Sequence, residues 1–192
     1  MNAAQAKLGD RSLYPDLKAK AYLAYAATGP ASILVKAAVG RVLDGYAEQG
    51  NVAFFEWMEQ RERLRGKLGS LIGAKAEDIA LTSGTTRGIS DLALSLDWQT
   101  GERIVLFEQE FPANVSPWQR AAELFGLRID FVPMANAVED EASFLEPLTQ
   151  LLEEGVRLVA VSAVQFQTGL RMPLGRIAEL CARHGAALCV DA

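Results

Sequence analysis

A few short stretches of this chain carry side chains able to do chemistry. The first is Ser83-Gly84-Thr85-Thr86-Arg87-Gly88. Gly84 permits close backbone approach. Thr85 and Thr86 fall at the start of a helical pattern, where free backbone N–H groups and the helix dipole favour an anion. Their hydroxyls add donors and Arg87 adds charge, so the turn suits a phosphate. An ordinary Ser/Thr helix cap fits the same residues without any ligand. The turn is neither a P-loop nor a dinucleotide fingerprint, because both Gly-Lys-Ser/Thr and G-x-G-x-x-G are missing. A second candidate is Asp191, which ends the apolar run Leu188-Cys189-Val190. A carboxylate there is costly without a partner. It serves either as a turn or cap residue or as the counter-charge of a cationic ring nitrogen. Phe111, between Glu110 and Pro112, is either a loop aromatic tucked into the core or a stacking platform for a planar ligand.

These residues need elements to hold them. Helical spacing of Val35, Val39, Leu43 and Tyr46 predicts a helix over 31–48, with Pro30 just before it. Trp57, Leu64, Leu68 and Leu71 predict a second over 52–72, stopped by Gly73. Residues 21–26 read as a short strand or an arm. A strand–helix alternation follows. Strands are predicted at 79–82, 104–107, 128–132, 158–161 and 187–190. Helices are predicted at 89–96, 117–125, 143–152 and from Pro173 to Gly185. Ser143-x-x-Glu146 reads as a capping box for the third of these. Strands separated by helices of this length imply a mostly parallel sheet in a three-layer α/β/α arrangement. Ligands of such sheets bind beyond the carboxyl ends of the strands. Thr85 and Thr86, the Glu108–Asn114 stretch, the turn from Ser162 to Gly169, and Asp191 all fall at such ends.

Composition narrows the class. The chain has 192 residues, half of them apolar and 22% charged, with a net charge of −5. That length suits one domain, or one domain with an appended arm. An acidic chain is a poor backbone-driven binder of nucleic acid and a poor polybasic binder of membranes. No uncharged run reaches a membrane span, and the start lacks the apolar stretch of a signal peptide. Together with only two cysteines, this reads as a cytoplasmic, soluble protein. One histidine and the wide Cys181–Cys189 spacing supply no metal set. Both cysteines read as small buried hydrophobes. His184 reads as a helix-end residue, and Trp57, Trp98 and Trp118 read as packing residues. Glu139-Asp140-Glu141 reads as a solvated loop. Arg171 serves either a substrate carboxylate or a surface ion pair.

Five stretches, in order, resemble the class V aminotransferase family. These are pyridoxal-phosphate (PLP) enzymes of the aspartate-aminotransferase-like fold, among them cysteine desulfurases, kynureninases and isopenicillin-N-epimerase-like proteins. The stretches are Tyr22-Leu23-Ala24-Tyr25-Ala26-Ala27-Thr28-Gly29-Pro30, the segment from Ile79 to Gly88, Glu110-Phe111-Pro112-Ala113-Asn114-Val115-Ser116-Pro117-Trp118, the segment from Val161 to Gly169, and the segment from His184 to Ala192. The resemblance implies a fold type I large domain over 31–192, preceded by an arm over 1–30. It implies that Gly84, Thr85 and Thr86 hold the cofactor phosphate, and that Phe111 stacks on the pyridine ring. It places Asn114 beside the cofactor, Gln165 near the ring hydroxyl and Asp191 on the pyridine nitrogen. It implies a reaction at the α-carbon of an amino acid, a small-molecule substrate: transfer, epimerisation, or elimination including desulfuration. It also implies a homodimer in the full-length form.

One departure matters. The family's Schiff-base lysine lies beyond the matched Asp, whereas the six lysines here are Lys7, Lys18, Lys20, Lys36, Lys67 and Lys75. The expectation is therefore the N-terminal portion of a longer enzyme. It supplies the cofactor contacts without the lysine and is inactive alone. The alternative is a non-catalytic PLP- or phosphate-binding fragment or domain.

Overall fold

A computed structural model of the chain describes residues 11–135, 137 and 140–192, the side chain of Ala142 excepted. Lys7, Glu139 and the first ten residues of the expected arm lie outside the described residues. The chain forms two compact units, Met1–Leu81 and Thr82–Ala192.

The first unit holds two long helices, α1 (Ile33–Gln49) and α2 (Ala53–Ile72). Ser32 caps α1 by accepting from the Val35 N–H at 3.2 Å, the cap geometry that relieves an orphan donor. Gly73 ends α2 in the left-handed conformation with φ 73°. The rings of Tyr46 and Trp57 meet at 4.1 Å between centroids. Residues 21–26 form turns rather than a strand.

The second unit holds α3 (Thr85–Ser95), β1 (Arg103–Phe107), α4 (Ser116–Phe125), β2 (Arg128–Val132), α5 (Glu141–Glu153), β3 (Leu158–Ser162), α6 (Leu174–His184) and β4 (Ala187–Asp191). The strands form one sheet in the order β2-β1-β3-β4, and every pair is parallel. Strand alternation sorts the apolar side chains to two faces. Val105, Phe107, Val159 and Val161 join Phe144, Leu148, Ile177 and Leu180 from α5 and α6. Ile104, Leu106, Leu158 and Ala160 join Ile89, Ala93, Trp118 and Ala121 from α3 and α4. The expected three-layer α/β/α arrangement is thus formed. Among the described residues, no helix is long and apolar enough to cross a membrane.

Three elements differ from the sequence reading. Residues 79–82 form no strand. The carbonyl of Ile79 accepts instead from Arg65 Nε at 2.8 Å, and no described strand lies alongside. α3 starts at Thr85, a turn earlier than predicted, because the Gly88 N–H already bonds the Gly84 carbonyl at 3.0 Å. α5 starts at Glu141, so Ser143 lies inside the helix and not at its cap. The Phe144 N–H bonds the Asp140 carbonyl at 3.0 Å, and the Ser143 hydroxyl donates to Asp140 Oδ2 at 2.7 Å.

Candidate functional site

The carboxyl edge of the sheet is built from the loops after β1 and β3 and from the last residue of β4. After β1, Glu108 and Gln109 are exposed and Glu110 is buried. Gln109 has φ 61°, a left-handed backbone that is uncommon outside glycine. That turn carries the chain inward at Glu110 and out again at Phe111. A short 3-10 turn, Pro112–Asn114, then leads into α4.

Glu110 is the centre of a buried network. Its Oε1 accepts from the Ser162 N–H at 2.7 Å and from Gln165 Nε2 at 3.3 Å. Its Oε2 accepts from the Ser162 hydroxyl. Ser162 is the register partner of Asp191 in the β3–β4 pair, and the next N–H, that of Ala163, bonds the Asp191 carbonyl at 2.7 Å. Glu110 thus bonds Ser162 and Gln165 directly, and the backbone of Asp191 pairs with β3 beside Ser162. Asp191 is half-buried, and its carboxyl lies above the usual carboxylate range. Burial is the first cause and the negative charge of Glu110 the second.

Gln165 is 2% exposed. Its Nε2 is committed to Glu110, and its Oε1 is buried without a partner. The 163–172 segment that carries it is a small hairpin. The Gln165 N–H bonds the Leu170 carbonyl at 2.9 Å, and the Met172 N–H bonds the Ala163 carbonyl at 3.0 Å. Asn114 is fully buried. Its Oδ1 accepts from Trp118 Nε1 at 3.2 Å, while its Nδ2 has no partner. Buried polar atoms left in this state are rare and ask for an explanation.

The Phe111 ring is half exposed and meets the Phe166 ring edge-on at 5.2 Å between centroids. It is not tucked into the core. The α3 start lies toward the same edge, because α3 runs down one face before β1 runs up the sheet, and α3 packs against the 3-10 turn after β1. No side chain caps its N-terminus. A Cβ on Gly84 would meet nothing within 4 Å. Thr85 and Thr86 are exposed there. Arg87 is turned away from this end, paired along the helix with Asp91 at 2.8 Å.

Of the seven residues singled out in the sequence, Gln165 bonds Glu110 and Asp191 is the register partner of Ser162 in that network. Phe111 and Asn114 flank it on the β1 loop, and Gly84, Thr85 and Thr86 form the α3 start. Glu110, Ser162 and Phe166 lie in the strand-end stretches named from the sequence but were not singled out there. The available signal was Glu110, a charge set directly against Phe111 at a strand end.

Trp118 is fully buried, and Trp98 is buried with its Nε1 donating to the Ala93 carbonyl at 2.7 Å. His184 lies in the last turn of α6. Burial pushes the Cys181 and Cys189 thiols up to about 11, so neither is a ready nucleophile. Arg171 is exposed and lines a cavity of about 670 Å³ with Ala163, Val164 and the start of α6. Among the described residues no cluster could hold a metal ion.

Comparison with known proteins gives the family. The chain is 34% identical over 158 residues to a probable cysteine desulfurase of Chlamydia trachomatis serovar D, covering 81% of this chain and 37% of that protein. It is 36% identical over 134 residues to a cysteine desulfurase of Dickeya dadantii, covering 68% of this chain and 32% of that protein. The chain thus spans about a third of the length of these curated relatives. Among solved structures, a C-DES variant with glycine covalently linked to its PLP cofactor superposes with a TM-score of 0.84. That match has 27% identity and covers 95% of this chain and 49% of the other. A complex of the cystine C–S lyase C-DES with cysteine persulfide superposes with a TM-score of 0.72, at 26% identity over 82% of this chain and 43% of the other. The family profile of class-V aminotransferases matches residues 21–192, and the chain belongs to that family.

Proposed function

We propose that this chain supplies the phosphate, ring and ring-nitrogen contacts of a PLP-dependent enzyme that acts on a sulfur-bearing amino acid, with cysteine desulfuration as the reaction. The observation that carries the reading is the half-buried Asp191 carboxyl at the carboxyl edge, on the strand paired with the one that holds Ser162 of the Glu110–Gln165 network.

The residues present fit the cofactor. The uncapped α3 N-terminus behind Gly84, with the Thr85 and Thr86 hydroxyls, offers donors to a phosphate. Phe111 offers a half-exposed ring face for stacking. Asp191 offers a counter-charge to a protonated ring nitrogen, which also relieves the cost of its own burial. Gln165 Oε1 and Asn114 Nδ2 are unmatched polar atoms suited to the ring's polar substituents. Bound PLP supplies an electron sink for charge developing at an amino acid's α-carbon. The protein's part is to hold the phosphate, fix the ring plane and keep the ring nitrogen protonated through Asp191.

No lysine follows Lys75 in the sequence, so the reading places the Schiff-base lysine outside these 192 residues and expects no turnover from them alone. It takes 1–30 as an arm and 31–192 as part of the cofactor-binding domain. It extends to a cytoplasmic homodimer in the full-length form. Cysteine is favoured over other amino acids by the relatives' chemistry, since the two curated relatives named above are a cysteine desulfurase and a probable one, and one C-DES structure holds its reaction product cysteine persulfide. The alternative, a non-catalytic binding fragment, shares the same contacts and differs only in the reaction.

Titration of the chain with PLP and with unphosphorylated pyridoxal tests the site. Saturable binding of PLP, at least about tenfold tighter than pyridoxal, is expected. Equal affinity removes the phosphate role of the α3 start, and no PLP binding removes the whole reading. Sulfur release from L-cysteine by the gene product in which this chain occurs tests the reaction. Binding without release leaves the non-catalytic alternative.

A further inference from the structure

Glu110 is given no contact with the cofactor by the function above. It is 7% exposed, in a loop whose preceding residue holds a left-handed backbone. A buried carboxylate is expensive unless it is hydrogen-bonded. This one is satisfied by the Ser162 N–H at 2.7 Å, the Ser162 hydroxyl and Gln165 Nε2 at 3.3 Å. A carboxylate only accepts, so the Gln165 atom facing it must be the NH₂. The amide is thereby locked with Oε1 as its free atom. Ser162 is also the register partner of Asp191. The Glu110 charge therefore reaches the last residue of β4 through one intervening residue.

We propose that Glu110 is a positioning residue for the ring-nitrogen side of the site. It pins the end of β3 and the Gln165 amide, and it adds a second negative charge behind Asp191, so that the pair favours a ligand carrying a positive ring nitrogen. The raised Asp191 carboxyl, with Glu110 among its causes, accords with that closeness. The inference rests on the cofactor reading above and deepens it. Asp191 touches the ring nitrogen, and Glu110 acts through Asp191 and Gln165.

The test uses the 192-residue chain and two ligands, PLP and its deaza analogue with carbon in place of the ring nitrogen. Glu110→Gln keeps the size and the accepting oxygen toward Ser162 but removes the charge. Affinity for PLP is expected to fall about three- to tenfold, while affinity for the deaza analogue stays within about twofold of the parent. Glu110→Ala, which removes the bonds as well, is expected to weaken both ligands. Equal losses for both ligands in Glu110→Gln, or no loss for either, overturn the proposal, because a purely structural carboxylate has no preference for a ring nitrogen. If Glu110→Gln does not fold, Glu110→Asp keeps the charge but withdraws it by one methylene, and the same two-ligand ratio decides. A parent chain that binds neither ligand fails at the cofactor reading. A parent that binds PLP, with a variant unchanged in the ratio, fails at Glu110 alone.

Discussion

Asp191 sits in the folded chain against its own preference. Its carboxyl lies above the usual range because burial and Glu110 both disfavour the charge. The folded state therefore binds a proton that the unfolded chain has already released. Stability is largest below the ordinary carboxylate value and falls as the pH rises through the window up to the raised value. Asp191→Asn removes that loss. The variant chain is expected to melt higher than the parent at pH 7. The difference should close as the pH drops below the ordinary carboxylate value. Its PLP affinity is expected to fall at least about tenfold, since the neutral amide offers the ring nitrogen no counter-charge. Thermal melts across pH, paired with the titration, check both halves. A variant less stable at pH 7 contradicts the electrostatic account. Asp191 was legible in the sequence because a charge ending an apolar strand is anomalous by itself. Glu110 was not, because its meaning depends on β1 and β3 being neighbours in the sheet and on the φ of Gln109. Neither is written in the local residue pattern.

Helices and strands were legible wherever an apolar stripe had a stop signal. Gly73, Gly126 and Gly185 each end a helix in the left-handed conformation, and each is visible as a glycine after a periodic run. The 79–82 segment was misread because a short apolar run predicts a strand only if a partner strand lies beside it. The start of α3 was misread because a Thr-Thr pair resembles a cap, whereas both residues are already helical. The glycines give a prediction of opposite signs. Gly126 has φ 69°, and a Cβ there would approach Thr100 Cγ2 at 3.1 Å. Gly126→Ala is expected to cost about 1–2 kcal/mol from the left-handed backbone, plus the repacking of Thr100. Gly175 lies in the first turn of α6, in open space and without a positive φ. Gly175→Ala there is expected to gain about 0.4–1 kcal/mol. Urea melts of the two variants decide; the same sign for both contradicts the conformational argument.

At the scale of the whole molecule, the sheet has two unlike edges. β2, at one end, reads RIDFV and carries Arg128 and Asp130 along its length. Alternating charge of this kind blunts an edge against pairing with another chain. β4, at the other end, reads ALCVD, and its single charge is the final Asp191. Val190 beside it is 38% exposed. The site and the weak edge are thus the same strand. The residue proposed to serve the cofactor is also the one charge on that strand. A net charge of −5 opposes association only through long-range repulsion, which salt screens over about 8 Å at physiological ionic strength. The 192-residue chain is therefore expected to self-associate as its concentration and the salt rise, with β4 as the contact. Val190→Lys places a charge in the middle of that edge and should shift the apparent mass toward the monomer at equal concentration. Phe131→Lys, on the already charged β2, should leave the apparent mass where it was. Light scattering behind size exclusion, at low and high salt, reads both variants. A parent whose mass is independent of concentration, or a response to Phe131→Lys equal to that of Val190→Lys, places the contact elsewhere than β4.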